Sequence, residues 1–357
     1  MLKQQAVLWL ALGFLALAEV GVEIRAAARG WDTLVYGKAD PPVSQQAGEV
    51  VMLYGPTPDF PFRSRVLAAP KPAGTIRVWI ASASHAEDVS VAAEAAFPNQ
   101  LDVVLNERSY QVEVLNAGRA GYGINGNIAD LRALSSAWQA DVAVLYQMST
   151  ELDGLAGVFL KESGSLEQLR PTEGPAEPTE TGSTRIARLA EATTSYQLLK
   201  GNLTPRVTEQ RLLASEFPSE AVAEYRRLVN EFIDTVEELG MTPVLCTFAT
   251  SHDRRHLGEI PRETSVAIFR YNQHLTLEGW FSAVERLNEA LRAIAQERGV
   301  RLIDVNNELG GEPDMFRDFV HFNPRGHRAM AEVIAAGLSY LAPPVETDTE
   351  HTAARPQ

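Results

Sequence analysis

The sequence predicts an α/β protein: a parallel sheet with helices wound on both of its faces. Three observations predict it. Five short apolar runs recur along the chain, amphipathic helical patterns lie between them, and the third run is apolar without alternation. A strand covered on both faces reads as continuously apolar, whereas a half-exposed one alternates. The runs are "TIRVWIA" (75–81), "YQVEVLN" (110–116), "ADVAVLYQM" (140–148), "MTPVLCTFA" (241–249) and "GVRLIDV" (299–305). The second alternates, and the others read as buried. Helical spacing covers 127–138, 219–239, 278–298 and 324–341. Strands alternating with helices form βαβ units and a doubly wound sheet. Ligands of such sheets sit beyond the carboxyl ends of the strands, so the residues after each strand are the candidates for function.

The 357 residues allow one large or two modest domains. The formal net charge of −14 argues against nucleic acid or anionic lipid as the main partner, because phosphate binding needs a basic face. The one cysteine, Cys246, excludes an intrachain disulfide and a Cys-based zinc site, and reads as a small core residue of a strand. Residues 1–25 read as a signal peptide or an N-terminal membrane anchor. Lys3 precedes an apolar run from Ala6 to Ala18, too short for an ordinary span of about 20 residues. This places the protein in the cell envelope, anchored or secreted, with membrane contact through that segment only. Residues 26–74 read as an extended lead-in and 75–342 as the domain. A Pro-, Glu- and Thr-rich stretch at 161–184 reads as a flexible insertion, and 343–357 as a disordered tail.

The first strand ends in "IASASHAED", where small residues let a serine stand exposed at the top of the sheet. The second ends in "LNAGRAGYGINGN", where glycine lets backbone approach a ligand. That stretch holds a G-x-G-x-x-G match, Gly121 to Gly126, whose ribose-binding acid would be Glu151. An exported protein has little access to such a dinucleotide, and the match leaves the last loop unexplained. The third strand ends in "LYQMSTELDG", bringing Ser149, Thr150 and Glu151 to the same end. Near the C-terminus, "DFVHFNPRGHRAMAE" sets Asp318 three residues before His321, and Asn323-Pro324 opens a helix. A carboxylate on one imidazole nitrogen fixes the tautomer, leaving the other nitrogen to take a proton from a serine. His252 and His256 have i,i+4 spacing but read as a solvated loop, and His327 reads as a surface residue of the last helix. "FRYNQHLTLEGWF" (269–281) reads as core packing or a groove lining.

Together these stretches resemble the SGNH (GDSL-like) hydrolase family over about residues 75–341, in the family's order. "RVWIASAS" resembles the first block and gives Ser84 as nucleophile, with Ser82 and Ala83 where Gly and Gly or Asp are usual. "VEVLNAGRAGYG" resembles the second and gives Gly121 as an oxyanion-hole residue. "ADVAVLYQMSTELD" resembles the third, with Thr150 in place of the usual oxyanion Asn. "DFVHFNPRGHRAMAEVI" resembles the fifth and gives Asp318 and His321. The resemblance implies a flavodoxin-like, three-layer α/β/α sandwich on a five-stranded parallel sheet. It also implies a serine esterase acting without metal or cofactor on a small-molecule, polysaccharide or lipid ester. The backbone N–H of Ser84 would join Gly121 and Thr150 in the oxyanion hole. With Thr150 replacing Asn, a catalytically weakened binding protein and an acyltransferase remain open.

Overall fold

The computed structural model describes residues 20–21, 54–57, 59–108, 110–162 and 213–340. The expected leader (apart from 20–21), the lead-in up to residue 53, most of the 161–184 insertion and the 343–357 tail lie outside the described residues. Among the described residues no helix is long and apolar enough to cross a membrane.

Five parallel strands form the centre: β1 (Ile76–Ser82), β2 (Val112–Asn116), β3 (Val142–Tyr146), β4 (Thr242–Cys246) and β5 (Arg301–Ile303). Their order is β2-β1-β3-β4-β5. Val78 of β1 lies between Val114 of β2 and Val142 of β3. Val78, Trp79, Ile80 and Ala81 are fully buried, and every residue of β3 is buried. Unbroken apolar strands require cover on both faces, and helices supply it.

Between β1 and β2 lie α1 (Ser84–Glu87) and α2 (Phe97–Glu107). Next come α3 (Ile124–Trp138), α4 (Ser149–Glu162) and α5 (Ser219–Glu238). After β4 the chain forms α6 (Arg262–Tyr271) and α7 (Leu277–Arg298), and after β5 it forms α8 (Val305–Leu309) and α9 (Pro324–Gly337). One layer is α2 packed on α9; the other is α5 between α3 and α7, with α4 beside it. The sequence dictates these faces. In α5, Ala221, Tyr225, Leu228, Val229, Phe232, Ile233 and Val236 are buried at helical spacing. On its outer side Arg227 bridges Glu224 and Glu231. Thr276 caps α7 by accepting the Gly279 N–H at 3.0 Å, and Gly299 ends it with φ 65°.

The strands stop short of the sequence runs because their last residues curl into the loops of the upper edge, Gln147–Met148 after β3 and Thr247–Ala249 after β4. The last helix ends at Gly337, short of residue 341. His327, expected at the surface, is fully buried, because its face of α9 packs on α2. The described end of the lead-in packs on the domain: Phe60 meets the Trp138 ring edge-on at 5.1 Å, and Phe62 meets Trp79 likewise. At the lower edge, Arg77 of β1 is fully buried and ties β2, α3 and the lead-in together through Glu113, the Trp138 carbonyl and the Ala68 carbonyl.

Candidate active site

The strands run parallel, but the order in which they are added reverses at β1, since β2 lies to one side of β1 and β3 to the other. The crevice above that pair is where a doubly wound sheet holds ligands. Ser84 arrives there two residues beyond β1, at the start of α1. Ser82 is buried and its hydroxyl donates to the Tyr146 carbonyl at 2.7 Å, tying the end of β1 to β3. The Ala86 and Glu87 N–H groups close the turn on the Ala83 carbonyl. Asn116, at the end of β2, donates to the Ala86 carbonyl at 2.7 Å and accepts the Gly118 N–H at 3.1 Å. Gly118 has no room for a side chain: a Cβ there would lie 2.7 Å from the Ala86 Cβ and 2.9 Å from the Ala83 carbonyl oxygen.

The last loop meets this turn. Ser84 Oγ lies 2.9 Å from His321 Nε2, and His321 Nδ1 lies 2.8 Å from Asp318 Oδ2. Asp318 Oδ1 accepts the N–H groups of Val320 and His321 at 2.9 and 2.8 Å. Burial alone would raise the Asp318 carboxyl; the hydrogen bond and charge of His321 and the two N–H donors outweigh it and hold it below the ordinary carboxylate range. The carboxylate therefore accepts the Nδ1 proton and leaves Nε2 bare towards the serine. Asn323 caps the following helix by accepting the Gly326 N–H at 3.0 Å, as the loop's sequence predicts. Ser84, His321 and Asp318 thus form one hydrogen-bonded chain.

His85, a residue the sequence reading passed over, lies beneath this chain. It is fully buried and stacks on His321, with centroids 5.1 Å apart. Its other neighbours are the edges and faces of Tyr146 and Phe248. Burial, reinforced by the nearby His321, pushes it down to about 3, so it stays neutral beneath the His321 ring. Its Nε2 contacts Ser149 Oγ at 3.3 Å.

Gly121 is exposed on the loop after β2, with φ 78°, a backbone conformation that favours glycine. The N–H groups around it are engaged: Ala120 donates to Glu87 Oε2 at 2.6 Å and Tyr122 to the Arg119 carbonyl at 3.0 Å. Among the described residues nothing accepts the Gly121 N–H. Thr150 is exposed in the first turn of α4, beside the half-buried Ser149.

The G-x-G-x-x-G stretch has a different use. Gly123 caps α3, and Glu151 Oε1 accepts the Ile124 N–H that opens this helix. A Cβ on Gly123 would lie 2.5 Å from that oxygen. The carboxylate fills the helix N-terminus where a pyrophosphate would have to bind, so Glu151 braces the Gly121 loop rather than meeting a ribose. Burial raises the Glu151 carboxyl to about 7, against the lowering donors Ile124 N–H and Gln147. A carboxyl raised on folding favours the protonated form. Its stabilising contribution is therefore full below about pH 4.5, its unfolded value, and is lost as pH rises through about 7. In denaturation titrations at a series of pH values, wild type should lose stability relative to Glu151→Gln across that window. Parallel curves would refute this assignment.

The remaining sequence candidates lie elsewhere. His252 Nδ1 contacts its neighbour Ser251 at 2.8 Å, and His256 pairs with Asp253 at 3.0 Å. Among the described residues no group of three His, Cys, Asp or Glu side chains could hold a metal ion. In the aromatic stretch, Trp280 and Phe281 are core and Tyr271 is exposed against Phe319.

No protein-family model and no curated protein matches this chain. Solved structures similar to it include an acetyl xylan esterase, AlAXEase, at 14% identity, TM-score 0.44, covering 74% of this chain and 100% of that one. A lipase/acylhydrolase from Enterococcus faecalis is similar at 12% identity, TM-score 0.45, covering 76% and 100%. A GDSL-like lipase from Bacteroides thetaiotaomicron is similar at 10% identity, TM-score 0.42, covering 77% and 93%. At these scores and identities the likenesses carry no chemistry over to this chain, and the site's own geometry has to supply it.

Proposed function

We propose that this chain is a serine acyl-ester hydrolase of the SGNH type. The observation that carries the reading is the Ser84–His321–Asp318 chain, hydrogen-bonded in the sense that general-base activation of a serine requires. Ser84 Oγ attacks the ester carbonyl carbon while its proton passes to His321 Nε2. Asp318 holds the imidazolium through Nδ1. The oxyanion is met by the N–H groups of Ser84 and Gly121, with the Thr150 hydroxyl beside them. The carbon–alkoxide bond then breaks as His321 returns the proton to the leaving alcohol. Water, deprotonated by His321, releases the acid and restores Ser84.

Thr150 has a shorter reach than an Asn amide. Loss of one oxyanion donor costs about 10²–10³ in kcat, so turnover should be modest. The apolar run at residues 6–18 supports an envelope enzyme, with O-acyl groups of carbohydrate or lipid as the class of substrate. Hydrolysis of p-nitrophenyl acetate by the wild type, abolished in Ser84→Ala, is the expected result. Equal rates in the two proteins, or no turnover in either, would overturn the reading for simple esters.

A further inference from the structure

Asp88 ends the short turn that presents Ser84, and its side chain reaches across to the loop that carries the base. It is buried at 4% exposure. Its Oδ1 accepts from the Ser90 N–H and hydroxyl and from Arg317 Nη1, the last at 3.1 Å. Its Oδ2 faces His327 Nε2 at 3.0 Å. The Nδ1 of His327 accepts the Phe97 N–H at 3.1 Å, which leaves the ring's proton on Nε2, pointing at Asp88. Arg317 directly precedes Asp318. Its Nη2 lies 3.8 Å from Asp318 Oδ2, the oxygen that receives the His321 Nδ1 proton. One guanidinium therefore stands between two carboxylates, hydrogen-bonded to Asp88 and in a looser ion pair, beyond hydrogen-bonding distance, with Asp318.

We propose that Asp88 is a positioning residue for the base: it holds Arg317 on itself, so that Asp318 keeps its charge for His321. This rests on the reading of His321 as general base. If Arg317 closed on Asp318 Oδ2, it would compete for that oxygen and make His321 a weaker proton acceptor. The other groups around the two centres do not supply this effect. His321 faces Ser84, Asp318 and the stacked, buried His85. Asp88 faces Arg317, His327 and Ser90, while Arg63 donates to the backbone carbonyls of Glu87, Asp88 and Val91 and Glu87 turns to the Ala120 N–H. Burial would raise the Asp88 carboxyl, but the His327 hydrogen bond and the Arg317 charge hold it far below the ordinary range, so it is anionic wherever the base works.

The test is the titration of the His321 ring by NMR in the full chain, its signal assigned by its loss in His321→Asn. Arg317→Gln should raise the midpoint by roughly half a unit, and Asp88→Asn should lower it by a similar amount. The decisive comparison is a double-mutant cycle. In the Asp88→Asn background, where Arg317 is free to close on Asp318, Arg317→Gln should shift the midpoint about twice as far as in wild type. Equal shifts in the two backgrounds would mean that Asp88 does not restrain Arg317, and would overturn the proposal. If Asp88→Asn does not fold, Asp88→Glu, which keeps the charge but displaces the carboxylate from Arg317, takes its place in the cycle: a larger Arg317→Gln shift there than in wild type supports the restraint, and an equal shift refutes it. The titration needs no substrate, so its failure is distinct from failure of the esterase reading, which the Ser84→Ala assay tests.

Discussion

Asp318→Asn should lower kcat for ester hydrolysis by about 10⁴, with the protein folded and KM little changed. The size follows from which atom the amide must place where. Asp318 Oδ1 accepts two backbone N–H groups, from Val320 and His321. In the variant only the amide oxygen can stay there, because the NH₂ group has no acceptor role to offer. The NH₂ is then forced towards His321 Nδ1, which must become an acceptor. The ring proton moves to Nε2, facing Ser84, and the base is blocked by its own proton. Steady-state kinetics beside thermal denaturation measures this. A loss under about tenfold would mean that Asp318 does not set the tautomer.

Arg77→Ala should cost about 3–5 kcal/mol of stability while leaving turnover per folded molecule nearly unchanged. Arg77 is fully buried, and Glu113, its partner at 2.9 Å, has a side chain only 14% exposed. Truncation strands that carboxylate. It also removes the donors to the Trp138 and Ala68 carbonyls, at 2.6 and 3.0 Å, and opens a cavity in the lower edge of the sheet. Arg77 is the second residue of β1 and Ser84 lies just past its other end, so the damage is remote from the site. Denaturant unfolding should show the loss. Adding Glu113→Leu to Arg77→Met should restore much of it, since a buried ion pair replaced whole by apolar groups costs little. A loss below about 1 kcal/mol in Arg77→Ala would show that the pair is not stabilising.

β1, β3 and β4 were legible because burial on both faces leaves a largely apolar run, β2 because its residues alternate, and α5 because its apolar residues repeat at helical spacing. Ser84, Asp318 and His321 were legible from their places at strand and loop ends together with the family resemblance. Helix α2 was hidden by buried polar residues that interrupt its apolar face: Asp102 pairs with Arg65, and Asn99 donates to the Arg63 carbonyl. His327 looked like a surface residue because nothing near it in sequence announces its partners. Phe97 and Asp88 are 230 and 239 residues away. The partner of Glu151 was hidden for the same reason, since the helix it caps belongs to the preceding unit of the fold. Pairings of this kind carry no local period, so no window of sequence displays them.

The hydrogen bond between Ser84 and His321 joins residues 237 positions apart, and α2 is covered by α9, the last described helix. Closing so long a span adds little to the entropic cost of folding beyond that of a shorter loop, but it fixes the sequence of events. A nascent chain can pair its first strands and still have no base beside its nucleophile. On the proposed reading, Ser84 would gain its base only when the C-terminal loop and helix have been synthesised and have docked. On that reading, turnover would double as a reporter of completed folding, silent in any nascent chain that stops short of His321.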